Sequence, residues 1–144
     1  MIIKQTFEHN NNMNMIIFAA GSILYACIEI LFRGYTHWSM MLTGGACVLT
    51  IYYINIEFPR ASLLLRALAG TFVIVFFEFA VGLVVNTWFA WGIWDYSDVP
   101  GNIIGLVCPQ FSTAWFLLSL ILCAVLSRFI RAAGSFASEP RSKS

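Results

Sequence analysis

Glu78 lies in the middle of a long apolar stretch and is the clearest candidate for chemistry in this sequence. It follows Ala67 by eleven residues, which is roughly 16 Å along a helix and close to the midplane of a ~30 Å hydrocarbon layer. An ionisable group at that depth is costly, so it is a candidate proton site, ligand contact or catalytic carboxyl. The alternative is a structural carboxyl that is protonated or hydrogen-bonded between helices. Gly82 and Asn86 follow on the same helical face.

Glu29 and Arg33 form a second polar group, four residues apart in the order that favours an intrahelical ion pair. Glu29 lies about 24 Å along its helix from Met13, which places it near one membrane surface. The face that carries Glu78 rises towards the same surface. We therefore predict either an interfacial ion pair that anchors the helix or a part of the site that includes Glu78.

The polar side chains of this end of the molecule predict an outward-facing funnel with an aromatic mouth. An arginine together with acids and amides could hold a zwitterionic or phosphate-bearing headgroup, or relay protons. The candidate ligand or proton-site residues are Glu29, Arg33, Glu78, Asn86, Trp94, Asp95, Tyr96 and Asn102. No catalytic residue is assigned. A fixed structural loop is the equally weighted alternative for the part of this set that follows Asn86.

No motif for a metal, a cofactor or ATP hydrolysis occurs in the chain. The four cysteines (Cys27, Cys47, Cys108 and Cys123) are far apart in apolar runs and form no CxxC pair, so we expect buried thiols. Neither histidine, His9 or His37, is close to them in sequence. Walker A, GxGxxG, HExxH and nucleophile-elbow motifs are absent. The sequence predicts no metal site and no cofactor.

The composition requires a membrane. Of the 144 residues, 60% are hydrophobic and 10% are charged, and the mean hydropathy is +0.80. A soluble domain carries about 25% charged residues, so this chain would expose most of its apolar side chains to water. A net charge of +1 gives no basic surface for nucleic acid.

Apolar runs separated by polar breaks predict an all-α integral membrane protein with a bundle of four transmembrane helices. A polar N-terminal segment (1–12) precedes a single transmembrane domain (13–131), and a polar, disordered tail (132–144) follows it. The predicted spans are about 13–32, 38–56, 67–85 and 111–127. Each is close to the ~20 residues that cross a bilayer.

The distribution of basic residues predicts that both termini are cytoplasmic. With four spans, one side of the membrane carries Lys4, Arg60, Arg66, Arg128, Arg131, Arg141 and Lys143, whereas the other carries only Arg33. A fifth span over 88–106 would bury Asp95 and Asp98 in lipid. We therefore expect the 86–110 loop to lie on the outward side. Its apolar stretch 102–108 predicts a partly re-entrant segment that protein or a wet cavity must cover.

A dense motif precedes the fourth span: Trp94-Asp95-Tyr96-Ser97-x-x-Pro100-x-Asn102-x-x-Gly105-x-x-Cys108, followed by Ser112 and Trp115. Upstream stand Tyr25-x-x-x-Glu29 with Arg33-Gly34, and the pair Glu78-Phe79. With these features the sequence resembles, over about residues 20–125, a bacterial family of small multi-span membrane proteins classed as ABC-transporter permeases.

The resemblance implies a permease-like role. The chain departs from the family at Pro109, where an apolar residue is usual, and this proline predicts a boundary between loop and helix. The chain is too small for a complete ABC permease domain, and no cytoplasmic loop is long enough for an obvious coupling helix.

We therefore predict a small polytopic membrane protein, either a transporter- or permease-like component or a ligand-binding one, with an outward-facing polar site. Two alternatives stay open. One is a membrane-embedded enzyme that acts on a lipid-linked substrate, with Glu78 or Asp95 as acid or base. The other is a holin-like or structural membrane protein. The expected partners are membrane lipids and a second copy or another membrane protein, with no nucleic acid. The expected location is the bacterial cytoplasmic (inner) membrane.

Overall fold

Four long helices make up most of the protein. The computed structural model describes residues 11–138, and the side chains of residues 11–133. Within that range no strand occurs, and the helices are α1 (Asn11–Arg33), α2 (Trp38–Glu57), α3 (Leu63–Gly82, continued by a π-helical turn, Leu83–Trp88) and α4 (Pro109–Ser138). All four are long and apolar enough to cross a membrane. The predicted all-helical, four-span architecture is confirmed.

Local sequence signals account for several helix ends. The hydroxyl of Ser62 accepts a hydrogen bond from the backbone N–H of Leu65 at 3.2 Å and begins α3. The Nδ1 atom of His37 does the same for Ser39 at 3.3 Å at the start of α2. Pro109 is the first residue of α4, where its missing N–H costs no helical hydrogen bond. The boundary predicted from this proline coincides with the start of the helix.

Two helix ends differ from the predicted segments. Asn11 and Asn12 already belong to α1, and α4 continues through 132–138, where the sequence predicts a tail. Alanines in this stretch favour helix over coil. Lys4, His9, Arg141 and Lys143 lie outside the described residues.

The helices pack mainly on their neighbours in sequence: α1 on α2, α2 on α3, and α3 on α4, with α4 also contacting α2. Gly44 and Gly45 lie at the contact between α1 and α2. A Cβ atom at Gly45 would lie 2.8 Å from the carbonyl oxygen of Phe18, so only glycine permits this close approach. Among the described residues, α1 makes few direct contacts with α4, and a cleft lies between these two helices.

The interior and the lipid-facing surface contain different side chains. Ile51, Tyr52 and Cys123 are fully buried, whereas Leu31 and Phe72 are more than 70% exposed on the outside of the bundle, as a helix surrounded by lipid tails requires.

Cys47 and Cys108 are buried as expected, but Cys27 is exposed. The prediction for Cys27 is therefore wrong, because its side chain lies on the outer face of α1. All four thiols are free.

Candidate functional site

Glu78 points into the bundle, where it is only 4% exposed. Its Oε2 atom accepts a hydrogen bond from the indole Nε1 of Trp115 on α4 at 3.0 Å. Its Oε1 atom lies 3.4 Å from the hydroxyl of Tyr96, which is a long hydrogen bond. The carboxyl therefore joins three parts of the chain: α3, α4 and the segment between them.

Aromatic stacking holds both donors in place. The ring of Trp115 stacks on Tyr25 of α1, with ring centroids 5.7 Å apart and an interplanar angle of 21°. The ring of Tyr96 stacks on Phe111 of α4 at 4.6 Å and 16°. Stacked pairs of this kind contribute about 0.5–1.5 kcal/mol beyond the area that they bury. The orientation of the Glu78 donors is thus fixed by residues that the sequence analysis did not include in the site.

The segment between α3 and α4, residues 89–108, folds back onto the end of the bundle, and we call it the lid. Asn86, in the π-helical turn, joins α3 to the lid: its side-chain amide donates to the carbonyl of Trp94 at 2.7 Å and its Oδ1 atom accepts from the N–H of Ile93 at 2.7 Å. The indole of Trp94 is buried and donates to the carbonyl of Leu106 at 3.0 Å.

Two further polar residues of the lid, Asp95 and Asn102, bond to the lid itself. Asp95 accepts from the hydroxyl of Ser97 at 2.5 Å and from its N–H at 2.8 Å. These hydrogen bonds hold the pKa of Asp95 below its usual range. Asn102 donates to the carbonyls of Ser97 and Val99 and accepts from the N–H of Gly105. Both residues have their hydrogen bonds satisfied locally, which favours the structural alternative for this part of the predicted site.

Glu29 and Arg33 form the expected ion pair on the last turn of α1. Glu29 is 3% exposed, and its other carboxylate oxygen accepts from the hydroxyl of Thr36 at 2.5 Å. Arg33 also donates to the carbonyl of Ile93 in the lid at 3.3 Å. The pair therefore connects α1 to the lid.

A cavity of about 160 Å³ lies between α1, α4 and the lid. Glu29 and Arg33 line one part of it, and Tyr96 and Trp115, the two donors to Glu78, line another. The rest of the wall is mostly apolar and aromatic, from Tyr25, Ile28, Phe32, Phe111 and Ala114. An engineered cavity of about 150 Å³ holds a molecule the size of benzene, so this space fits a small molecule or the end of a longer one.

Burial raises the pKa of the Tyr96 hydroxyl well above its usual range, and the neighbouring Glu78 carboxyl raises the pKa further. The hydroxyl therefore stays protonated and remains a donor at neutral pH. A ligand that accepts a hydrogen bond in the cavity would compete with Glu78 for this proton.

The structure thus divides the eight predicted residues into two groups. Glu29, Arg33 and Tyr96 line the cavity, and Glu78 lies directly behind it. The other four, Asn86, Trp94, Asp95 and Asn102, build the lid and hold it on the bundle. Among the described residues, no group of three or more His, Cys, Asp or Glu side chains is placed to hold a metal ion.

Tyr25, Phe111 and Trp115 complete the cavity, although the sequence analysis did not assign them to the site. Tyr25 and Trp115 belong to the motifs quoted above, and that membership is the one signal that could have identified them. Nothing in the helical periodicity indicates that they meet, because 90 residues separate them in the chain.

The chain matches a known protein family over most of its length. The family described as "Putative ABC-transporter type IV" matches residues 16–142, a range that includes α1 from Ile16 onward, the other three helices, the lid and the cavity. No solved structure matches the chain. The match and the four apolar helices identify a multi-pass, transporter-like membrane protein, and the chain belongs to this ABC-transporter type IV family.

Proposed function

We propose that the protein is a permease-like membrane component whose ligand site is the cavity between α1, α4 and the lid. The observation that carries the proposal is the position of this cavity. It is bounded by the Glu29–Arg33 ion pair and by both hydrogen-bond donors to the buried Glu78. A purely structural bundle has no need to place an ion pair and a buried carboxyl around one empty space.

The cavity wall indicates the kind of ligand. Its aromatic and aliphatic side chains favour an apolar body, whereas the ion pair favours one polar or charged end. Phe32 lines the cavity and is 79% exposed on the outer face of α1, so a long ligand could extend towards lipid. We infer a small amphiphile, or one end of a larger one.

Contacts between the lid and the bundle would change when a ligand binds in the cavity. A ligand group that accepts the Tyr96 hydroxyl proton would weaken the 3.4 Å contact with Glu78, and one that bonds Arg33 would compete with the lid carbonyl of Ile93. Both changes loosen the lid from the bundle. Binding in the cavity and release of the lid would therefore be coupled.

The proposed orientation follows from the basic residues. Arg60, Arg66, Arg128 and Arg131 all lie at the end of the bundle opposite the lid, and the positive-inside rule puts that end in the cytoplasm. The cavity would then open on the outward side of a bacterial inner membrane. Since the chain has no nucleotide-binding motif, ATP-driven transport would require a partner protein.

A ligand screen on the full chain in lipid nanodiscs tests the proposal. The probes are small amphiphiles with one apolar body and an anionic, cationic or zwitterionic end, and the readout is the thermal unfolding temperature. Ala114→Phe fills the cavity, because Ala114 lines it. Leu117→Phe adds an aromatic ring on the same helix at a position that is 57% exposed and outside the cavity.

We expect at least one class of probe to raise the unfolding temperature of the wild type and of Leu117→Phe, but not that of Ala114→Phe. Probes that stabilise all three proteins equally would bind elsewhere. If no class distinguishes the Ala114→Phe protein from the other two, the cavity is not a ligand site and the proposal fails.

A further inference from the structure

A second polar cluster lies at the end of the bundle away from the lid, where α2, α3 and α4 meet. It consists of Asn55, Arg66 and Ser127, one from each helix. The Nη1 atom of Arg66 donates to the Oδ1 atom of Asn55 at 2.9 Å and to the hydroxyl oxygen of Ser127 at 2.8 Å. Arg66 is three residues from the start of α3 and Asn55 is two residues from the end of α2, so the cluster is near the level of lipid headgroups.

Both acceptors are held rigidly. Asn55 is 2% exposed, and its side-chain amide donates to the carbonyl of Ile51 at 2.8 Å. The hydroxyl of Ser127 donates to the carbonyl of Cys123 at 2.7 Å. With these bonds made, the two oxygen atoms are left to accept from Arg66. The guanidinium is therefore fixed in one orientation.

This orientation leaves a donor of Arg66 unused. The Nε atom of Arg66 is buried and has no hydrogen-bond partner among the described residues. A buried donor without a partner costs about 1–3 kcal/mol, and an arginine carries five N–H donors in a planar fork that suits two-point binding of phosphate or carboxylate. The Arg66 side chain therefore keeps hydrogen-bonding capacity that the described residues do not use.

A cavity of about 120 Å³ adjoins this guanidinium. Its lining includes a second arginine, Arg131, whose Nε atom donates to the carbonyl of Ser127 at 3.1 Å and so holds the side chain along α4. Pro59 and Ile130 complete the wall together with Asn55, Arg66 and Ser127. None of the described residues that line this cavity is acidic, so the two arginines give it a positive potential.

An apolar crevice of about 210 Å³ begins at the same arginine. It runs between α2 and α3 and is lined by Ile54, Phe58, Ala61, Leu65 and Ala69 in addition to Arg66. Phe58 and Leu65 are each about 60% exposed on the lipid-facing surface. A ligand that occupied both spaces would carry an anionic group next to a hydrocarbon chain.

We propose that this arginine pocket binds the phosphate group of an anionic phospholipid, with part of one acyl chain in the adjoining crevice. The arginine pair supplies charge-assisted hydrogen bonds to phosphate oxygens, and basic pockets between transmembrane helices are suited to anionic headgroups. A soluble phosphate ester shares the anionic group but leaves the crevice empty. The pocket is separate from the cavity under the lid, and the proposal does not depend on the function assigned to that cavity.

Native mass spectrometry of the full chain tests this proposal. The protein is released from nanodiscs that contain equal amounts of phosphatidylglycerol and phosphatidylcholine, and the lipids retained on each chain are counted. Arg131→Gln removes a pocket charge. Arg128→Gln is the matched control, because Arg128 is exposed on the same end of α4 and does not line the pocket. Arg66→Lys keeps the charge but removes the planar fork.

A parallel arm adds inorganic phosphate to protein in phosphatidylcholine alone and measures the unfolding temperature.

We expect the wild type and Arg128→Gln to retain one phosphatidylglycerol in preference to phosphatidylcholine. Loss of a charge-assisted hydrogen bond predicts a drop in retention of about tenfold or more for Arg131→Gln and for Arg66→Lys. An equal loss in Arg128→Gln would mean diffuse attraction to charge and would overturn the proposal. Stabilisation by inorganic phosphate without a preference for phosphatidylglycerol would overturn the assignment to a lipid. Retention of neither lipid, with no effect of phosphate, would leave the cluster purely structural and would refute the pocket altogether.

Discussion

Replacement of Gly105 by alanine provides a quantitative test of how the lid is built. Gly105 has φ = +69°, and a Cβ atom at this position would lie 2.6 Å from the hydroxyl oxygen of Ser97 and 2.8 Å from the Oδ1 atom of Asp95. The substitution therefore adds backbone strain and also displaces the Asp95–Ser97 hydrogen bonds. Because these bonds shape the turn that carries Tyr96, the lid should loosen over Glu78.

The expected cost is the sum of two contributions. A non-glycine residue in the left-handed region costs about 1–2 kcal/mol. Loss of the hydrogen bond between Ser97 and Asp95 adds about 0.5–1.5 kcal/mol, the net value of such a bond. We therefore expect Gly105→Ala to lower the free energy of unfolding by roughly 1.5–3.5 kcal/mol.

Gly92→Ala is the matched control for the strain. Gly92 also lies in the lid with a positive φ, of +57°, but a Cβ atom there would have no neighbour within 4 Å. Gly92→Ala should lower the free energy of unfolding only by the conformational contribution of about 1–2 kcal/mol. The difference between the two variants then measures the steric contribution alone.

The assay is equilibrium unfolding in detergent micelles, combined with hydrogen exchange at the backbone N–H of Tyr96. That N–H donates to the carbonyl of Gly105 at 2.8 Å in the folded lid, so its protection reports whether the turn is intact. Gly105→Ala should lower this protection more than Gly92→Ala. If the two variants lose equal stability and equal protection, the close contacts at Gly105 do not constrain the lid, and the reasoning is wrong.

Two further predictions concern the attachment of the lid and its response to pH. Asn86→Ala removes both side-chain hydrogen bonds to the lid backbone. It should lower the free energy of unfolding by about 2 kcal/mol and speed hydrogen exchange at the Ile93 N–H. Unchanged exchange would contradict the proposed link. Burial raises the pKa of Tyr96 in the folded protein, so its contribution to stability is complete below the unfolded value of about 10 and is lost as the pH rises above it. Tyr96→Phe should therefore flatten the fall in unfolding free energy above about pH 10, and an alkaline profile identical to the wild type would show that another group is responsible.

Glu78 and Glu29 show which features of the site could be predicted from the sequence. Glu78 and Glu29 stood out because ionisable side chains in apolar helices are costly, and that argument needs no tertiary contact. The pairing of Glu29 with Arg33 also followed from the spacing within one helix. The donors to Glu78 did not follow, because Trp115 is 37 residues away and lies on another helix.

Asn86 illustrates the effect of local helix geometry. A regular helix predicts that Asn86 shares a face with Glu78, eight residues earlier. In the structure a π-helical turn covers residues 83–88, and its wider hydrogen-bond pattern changes the rotation of every side chain that follows. Asn86 consequently contacts the lid backbone and does not line the cavity.

Composition and short-range pattern by themselves determined the membrane class, the four helices and the start of α4 at Pro109. These properties depend on hydropathy and on the conformational preferences of single residues, both of which can be read along the chain. Only the tertiary structure decided which side chains enclose the cavity, and which bond to the arginine cluster at the other end. Helices that are apolar on most faces can be rotated about their axes without changing the pattern of the sequence. Their rotation is set by packing, at close contacts such as Gly45 on Phe18 and Tyr25 on Trp115.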